Sequence, residues 1–151
     1  MHLIINGIDT VYTPANCEFA DTWHGLQTAL DGGISHNGDN APEVFAPIVQ
    51  AGFKPDFESE VSDVPAELTA DLAANPMSEW KVILADLRKV QYGKVIPLHV
   101  AKKGYQIHQN KALFDAMIAS AIAVLGKDGF QIATLGTLGA YSQFFLSIAI
   151  K

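Results

Sequence analysis

The sequence predicts an α+β fold: an antiparallel β-sheet with a long helix, about residues 111–126, packed on one face, plus a loop-rich acidic N-terminal half. Three observations predict it. Apolar residues make up 49% of the 151-residue chain and charged residues 17%, which supports a packed core and excludes a disordered chain. KALFDAMIASAIAVLG (111–126) has helical spacing and helix-forming composition. Runs rich in β-branched residues flank it on both sides, giving the order strand, strand, helix, strand, strand. The length fits a single domain, residues 1–151.

LIINGIDTVY (3–12) reads as a hairpin, because Asn6-Gly7 between apolar runs suits a two-residue turn with positive φ. DGGISHNGDN (31–40) has loop composition. A helix is predicted next. Asn40 caps it, Pro42 sits in its first turn, Gly52 ends it, and Val44, Phe45, Ile48 and Val49 form its core face, with Pro47 as a kink or a late start. FKPDFESEVSDVP (53–65) reads as strand plus loop, and PAELTADLAAN (65–75) as a short helix. WKVILADLRKVQYGKVIPLHVA (80–101) reads as two strands, about 80–90 and 94–101, split at Tyr92-Gly93, although Leu84, Leu87 and Arg88 also fit a helix over 79–90. Pro97 makes the second an edge strand. In the long helix Asn110 is the expected N-cap and Gly126 the stop. Leu113, Phe114, Met117, Ile118, Ala121, Ile122 and Leu125 form a broad apolar stripe, so the helix is expected to be well buried. FQIATLGTLGAYSQFFLSIAI (130–150) reads as a hairpin turning near 137–139.

Charge divides the chain. Residues 1–70 carry eleven acids and one base, a net −10; residues 71–151 carry nine bases and five acids, a net +4. An acidic half repels nucleic acid and can dock on basic partners. A basic half binds nucleic acid if its cations share a face, and the two halves can also simply attract each other.

Much familiar chemistry is missing. GKDGF and GTLGA lack the glycine spacing and Lys-Ser/Thr pair of a phosphate loop, and there is no GxSxG elbow. The five histidines are scattered, without metal-ligand spacing, so neither a metal nor a cofactor is expected. A lone cysteine, Cys17, cannot staple the fold and suits a reducing compartment. No apolar run approaches the roughly 18–20 residues that cross a bilayer, and the N-terminus lacks a basic region before an apolar one; a cytoplasmic protein is expected.

Three features remain. Trp23-His24 reads as a packing anchor with a neighbour, or as an indole that stacks a base beside a phosphate-contacting imidazole. Arg88, Lys89, Lys94, Lys102, Lys103 and Lys111 are interleaved with Tyr92 and Tyr105, a pattern that fits single-stranded nucleic acid as well as a lysine-protected sheet edge. Gln106, His108 and Gln109 in YQIHQN (105–110) either read bases or face water.

These stretches resemble, in order and spacing over about residues 20–150, the phage/plasmid-like proteins of unknown function found in prophages and mobile elements. Trp23, His24, Gly25 and Leu26 in TWHGL resemble that family's PWHGLG signature. APEVFAPIVQAGF (41–53) resembles its helix with an Ala-Gly-Leu/Phe end. KKGYQIHQNKALFDAM (102–117), with Tyr105, Gln109 and Asn110, resembles its Gly-x-x-Tyr, Gln-Asn, Phe-Asp segment, and 130–150 resembles its C-terminal strand pair. Gln27 departs from the second signature glycine, and Ala133-Thr134-Leu135 follows the family's Thr-Ala-Gly only loosely. The resemblance implies a mobile-element origin without an assigned activity. Because family members continue beyond this point, it also implies that Lys151 marks a truncation or a short divergent form. The pattern is distantly similar to single-strand annealing recombinases at the level of fold alone. The expected function is non-catalytic binding of single-stranded nucleic acid through the basic half. The alternative is a protein-interaction module, a host-defence antagonist or an assembly subunit such as a homo-oligomer, acting through the acidic half or an open edge strand.

Overall fold

A computed structural model describes residues 4–5, 8–16, 25–52, 79–90 and 93–151. Trp23-His24, Cys17, Tyr92, the Asn6-Gly7 turn and the strand and helix expected over 53–75 lie outside the described residues. The fold is α+β and mostly strand, with two sheets and one helix. The single sheet expected from the sequence is therefore replaced by two.

The first sheet is mixed. Its core is β2 (Asp9–Pro14), β7 (Phe130–Leu138) and β8 (Gln143–Ile150), all antiparallel neighbours. On the other edge of β2, β3 (Thr28–Leu30) runs parallel to Tyr12–Pro14, and the two-residue β1 (Ile4–Ile5) pairs antiparallel with Asp9 and Thr10. The first hairpin is thus present, but with a very short first strand. Every residue of β2 is buried. Its contact with β7 needs Gly136: a Cβ there would stand 2.6 Å from the Thr10 carbonyl oxygen and 2.9 Å from the Val11 Cα. Only glycine lets the two backbones pass this close.

The second sheet is antiparallel, in the order β4 (Ile48–Gly52), β5 (Trp80–Asp86), β6 (Val95–Lys102). The hairpin read at 80–101 is β5–β6, and β6, with Pro97, is an edge as expected. The helix expected over 40–52 is not formed. A 3-10 turn covers Pro42–Phe45, and β4 follows. Pro47 explains the change. The residue before a proline is driven out of the helical region, and Ala46 is extended, with φ −60° and ψ 144°. Val44 and Ile48, whose spacing looked helical, end in different core clusters. Asn40 does not cap this turn; its side chain accepts from the Ser35 N–H and donates to the Gly33 carbonyl within the loop.

The helix α1 (Asn110–Leu125) is the best-read element, and Gly126, at φ +77°, ends it with its N–H on the Ile122 carbonyl. Two expectations change. The N-cap position is Gln109, with no side-chain cap, and Asn110 is the first helical residue. The helix is not well buried either: of the expected stripe only Phe114 and Ile118 are buried, with Ala121 and Leu125 partly so, whereas Leu113, Met117 and Ile122 are exposed. Phe114 and Ile118 pack with Tyr12, Phe130, Ile132 and Leu135 on the mixed sheet, each contributing about 1.5–3 kcal/mol. A second cluster, built on Ile48, Ile83, Ala85, Leu87 and Tyr141, packs one face of the antiparallel sheet.

A polar junction joins the two clusters. The β7–β8 turn carries Ala140 and Tyr141 at φ +55° and +71°, a conformation costly for residues with a Cβ. Asp9 compensates: its two carboxylate oxygens accept the N–H groups of Ala140 and Tyr141 at 3.1 and 2.9 Å. Tyr141 then reaches into the second cluster. Its hydroxyl accepts from the Ala46 N–H and donates to the Glu43 carbonyl, and burial pushes the phenol above its ordinary value.

Candidate nucleic-acid interface

The β5–β6 hairpin carries most of the candidate cations, and its register sorts them into two groups. Lys102 pairs with Trp80 at one end of the hairpin; Arg88, Lys89 and Lys94 lie at the other, where the Leu87 N–H bonds the Lys94 carbonyl. The nine residues from Lys94 to Lys102 span about 25 Å. The expected cluster is therefore two separate groups.

At the Trp80 end, cations and aromatics meet. The Lys102 ammonium lies 5.9 Å from the centroid of Trp80, which is 40% exposed. Lys103 donates its N–H to the Glu79 carbonyl at 2.7 Å, and Tyr105 donates its own to Lys102 at 2.9 Å, which closes a tight turn. The Lys81 ammonium donates to the Tyr105 carbonyl at 2.6 Å, and the Tyr105 ring, 44% exposed, meets His99 edge-on at 5.1 Å. Strand alternation puts Trp80 and Lys102 on the outer face of the sheet, and Lys81 and His99 on the inner face with Ile83. Three lysines and two exposed aromatics thus wrap one end of a hairpin. Behind Tyr105 a cavity of about 130 Å³ is lined by His99, His108, Asn110, Tyr141 and apolar neighbours.

The other end is more nearly neutral. Arg88 makes a bidentate ion pair with Asp86, both bonds at 2.8 Å, and these bonds hold the Asp86 carboxyl down at about 2. The pairing is complete above the ordinary carboxyl value and is lost as pH falls through about 2. Arg88→Ala should raise the Asp86 midpoint, read by carboxyl-carbon NMR, part of the way toward 3.8, because the N–H of residue 88 still bonds the carboxylate. Lys89 and Lys111 line a groove of about 530 Å³, but Asp39 and Asp86 line it too. Lys111 is ion-paired with Asp115 and lies 5.9 and 5.6 Å from the Phe45 and Phe114 ring centroids.

The remaining residues of the resemblance fall in structural positions. The Gln109 carboxamide bonds both backbone groups of Ile48, accepting from its N–H and donating to its carbonyl, each at 2.7 Å, and so acts as a short strand against β4. Asn110 donates to the Val44 carbonyl at 3.0 Å. Gly25 has φ +67° and Leu26 is buried. Gln106 and His108 are exposed. His36 stacks on Phe130 at 4.8 Å. Sequence reasoning missed Trp80 and Lys81 as site residues. The signal was the hairpin itself: once its ends are fixed, Trp80 must face Lys102.

Among the described residues no group of three His, Cys, Asp or Glu side chains could hold a metal ion, and no helix is long and apolar enough to cross a membrane. No family model, curated protein or solved structure matches the chain.

Proposed function

We propose that the protein binds single-stranded nucleic acid, without catalysis, at the Trp80 end of the β5–β6 hairpin, in the setting of a phage or plasmid element that its signature stretches resemble. The observation that carries the reading is the exposed Trp80 ring with the Lys102 ammonium at 5.9 Å, beside Lys81, Lys103 and the exposed Tyr105. Indole and phenol faces stack bases of any sequence, and lysines beside them neutralise the phosphates between stacked bases. Trp80 and Tyr105 lie on opposite faces of one sheet end, so a flexible strand crossing that end meets both, whereas a rigid duplex does not bend around it. Arg88, Lys89, Lys94 and Lys111 contribute longer-range attraction at most.

Fluorescence anisotropy with a labelled single-stranded oligonucleotide tests this. Three lysine–phosphate contacts predict that the logarithm of the binding constant falls with the logarithm of salt with a slope of about −2. Absence of binding at tens of micromolar protein in low salt, or affinity indifferent to salt, would sink the reading. The rival, a protein-interaction module, is favoured by a separate observation: the outer side of α1 and the last strand expose apolar side chains, Val124 at 82% and Ile150 at 71%.

A further inference from the structure

We propose that the outer side of α1 and the outer edge of β8 form a self-association face, and that its occupant is a second copy of this chain related by a two-fold axis. This inference is independent of the nucleic-acid reading.

The helix carries two parallel seams. Phe114, Ile118, Ala121 and Leu125, spaced 4-3-4, turn inward onto the mixed sheet. Leu113, Met117, Ser120 and Val124 repeat the same 4-3-4 spacing one residue earlier, and all four are exposed. That is the spacing with which one helix packs on another. Beside this outer seam, Ala116, Met117, Ser120 and Ala121 face Leu146 and Ile148 of β8 across a groove of about 400 Å³.

Among the described residues β8 pairs only with β7 and ends the sheet, and no charge, proline or glycine occurs from Gln143 to Ile150. The other sheet protects its β6 edge with Pro97, a register shift opposite Ile83/Leu84 and flanking lysines. The β8 edge has no proline; its one register shift lies opposite Ile132/Thr134, and its one flanking lysine is Lys151 at the far end.

The geometry selects a copy of this chain over other occupants. The buried side chains of α1 pack with residues of both β7 and β8, so the helix straddles the two strands. With strands about 4.8 Å apart, antiparallel pairing of β8 with a second β8 puts the two helices about 10 Å apart, the ordinary helix-packing distance. In the antiparallel helix pair Leu113 meets the second copy's Val124, and Met117 enters the space left by its Ser120 and Ala116. The seam is self-complementary, a large side chain against a small one. Charge agrees: on a chain of net charge −6, a self-contact needs a neutral face, and the only charges of α1, Lys111 and Asp115, pair with each other. A strip roughly 25 Å by 20 Å per copy buries about 1,000 Å² in the pair, the lower bound of a specific interface, so the dimer is reversible.

Sedimentation velocity on the 151-residue chain from about 5 to 200 µM tests the proposal. The expected result is a concentration-dependent shift from monomer to dimer mass. Met117→Glu and Ile148→Lys, both at exposed positions, should each weaken dimerisation at least tenfold while circular dichroism and melting stay as in the parent. Monomer mass at 200 µM overturns the proposal, as does a dimer that both variants leave intact. A monomer whose apolar face takes up a hydrophobic dye also overturns it, and assigns the face to a foreign protein.

Discussion

Asp9→Ala is expected to lower the melting temperature by about 5–15 °C. Asp9 is 3% exposed and accepts two backbone N–H groups from the β7–β8 turn. Those groups belong to Ala140 and Tyr141, both in the left-handed region that disfavours side chains. Without the carboxylate, the buried Tyr141 N–H and the part-buried Ala140 N–H lose their acceptor, at about 1–3 kcal/mol for the buried one and less for the other. The turn then keeps only the Ser142 bonds to the Gly139 carbonyl and those of the Tyr141 hydroxyl. The loss spreads, because Tyr141 ties Ala46 and Glu43 to the same turn. For a domain of this length, 1 kcal/mol corresponds to roughly 2–4 °C. Asp9→Asn keeps one acceptor oxygen and should lose about half as much. A scan in which Asp9→Ala melts within about 2 °C of the parent would show that the turn holds itself.

Trp80→Ala is expected to weaken oligonucleotide binding about 5- to 150-fold while the melting temperature stays put. The lower and upper ends follow from about 1–3 kcal/mol of stacking per base. Folding is spared because the indole packs on the outer face of a sheet whose core lies on the other side. Trp80→Phe should recover part of the affinity, since a smaller ring still stacks. Arg88→Ala should change affinity less than twofold, its guanidinium being held by Asp86. Equal losses for Arg88→Ala and Trp80→Ala would mean that affinity comes from diffuse charge and that the Trp80 end is no site.

The sequence was legible where structure is local. The helix over 110–125, the β5–β6 and β7–β8 hairpins and the Pro97 edge follow from spacing, turn residues and propensity. It failed where a local pattern had two solutions. Val44, Phe45, Ile48 and Val49 fit a helical period, but Pro47 sets the backbone extended one residue before it and divides the run between two cores. It also failed for pairings between distant segments. Nothing in the neighbourhood of Val11 announces Gly136 as its partner, and nothing near Thr28 announces a parallel pairing with Tyr12. The two hairpins looked like one sheet because hairpin signals do not say which hairpins join. The candidate site was half legible for the same reason. Lysines and tyrosines were visible as a composition, but their division between two ends of one hairpin is a matter of register. Asn110 was legible as a helix-start residue yet bonds the Val44 carbonyl instead, a partner 66 positions away.

The pairing of Val11 with Gly136 has a consequence for synthesis. β2 is buried along its whole length, and its neighbour on the β7 side is made 125 residues later. At roughly 5–20 residues per second, this buried strand waits about 6–25 s on the ribosome before that partner exists. Closing so long a loop also makes the step slow once the chain is complete. The nascent chain therefore leaves the β7 side of Asp9–Pro14 without its partner for longer than either described hairpin, β5–β6 or β7–β8, and exposes it to any chaperone at the ribosome for that time.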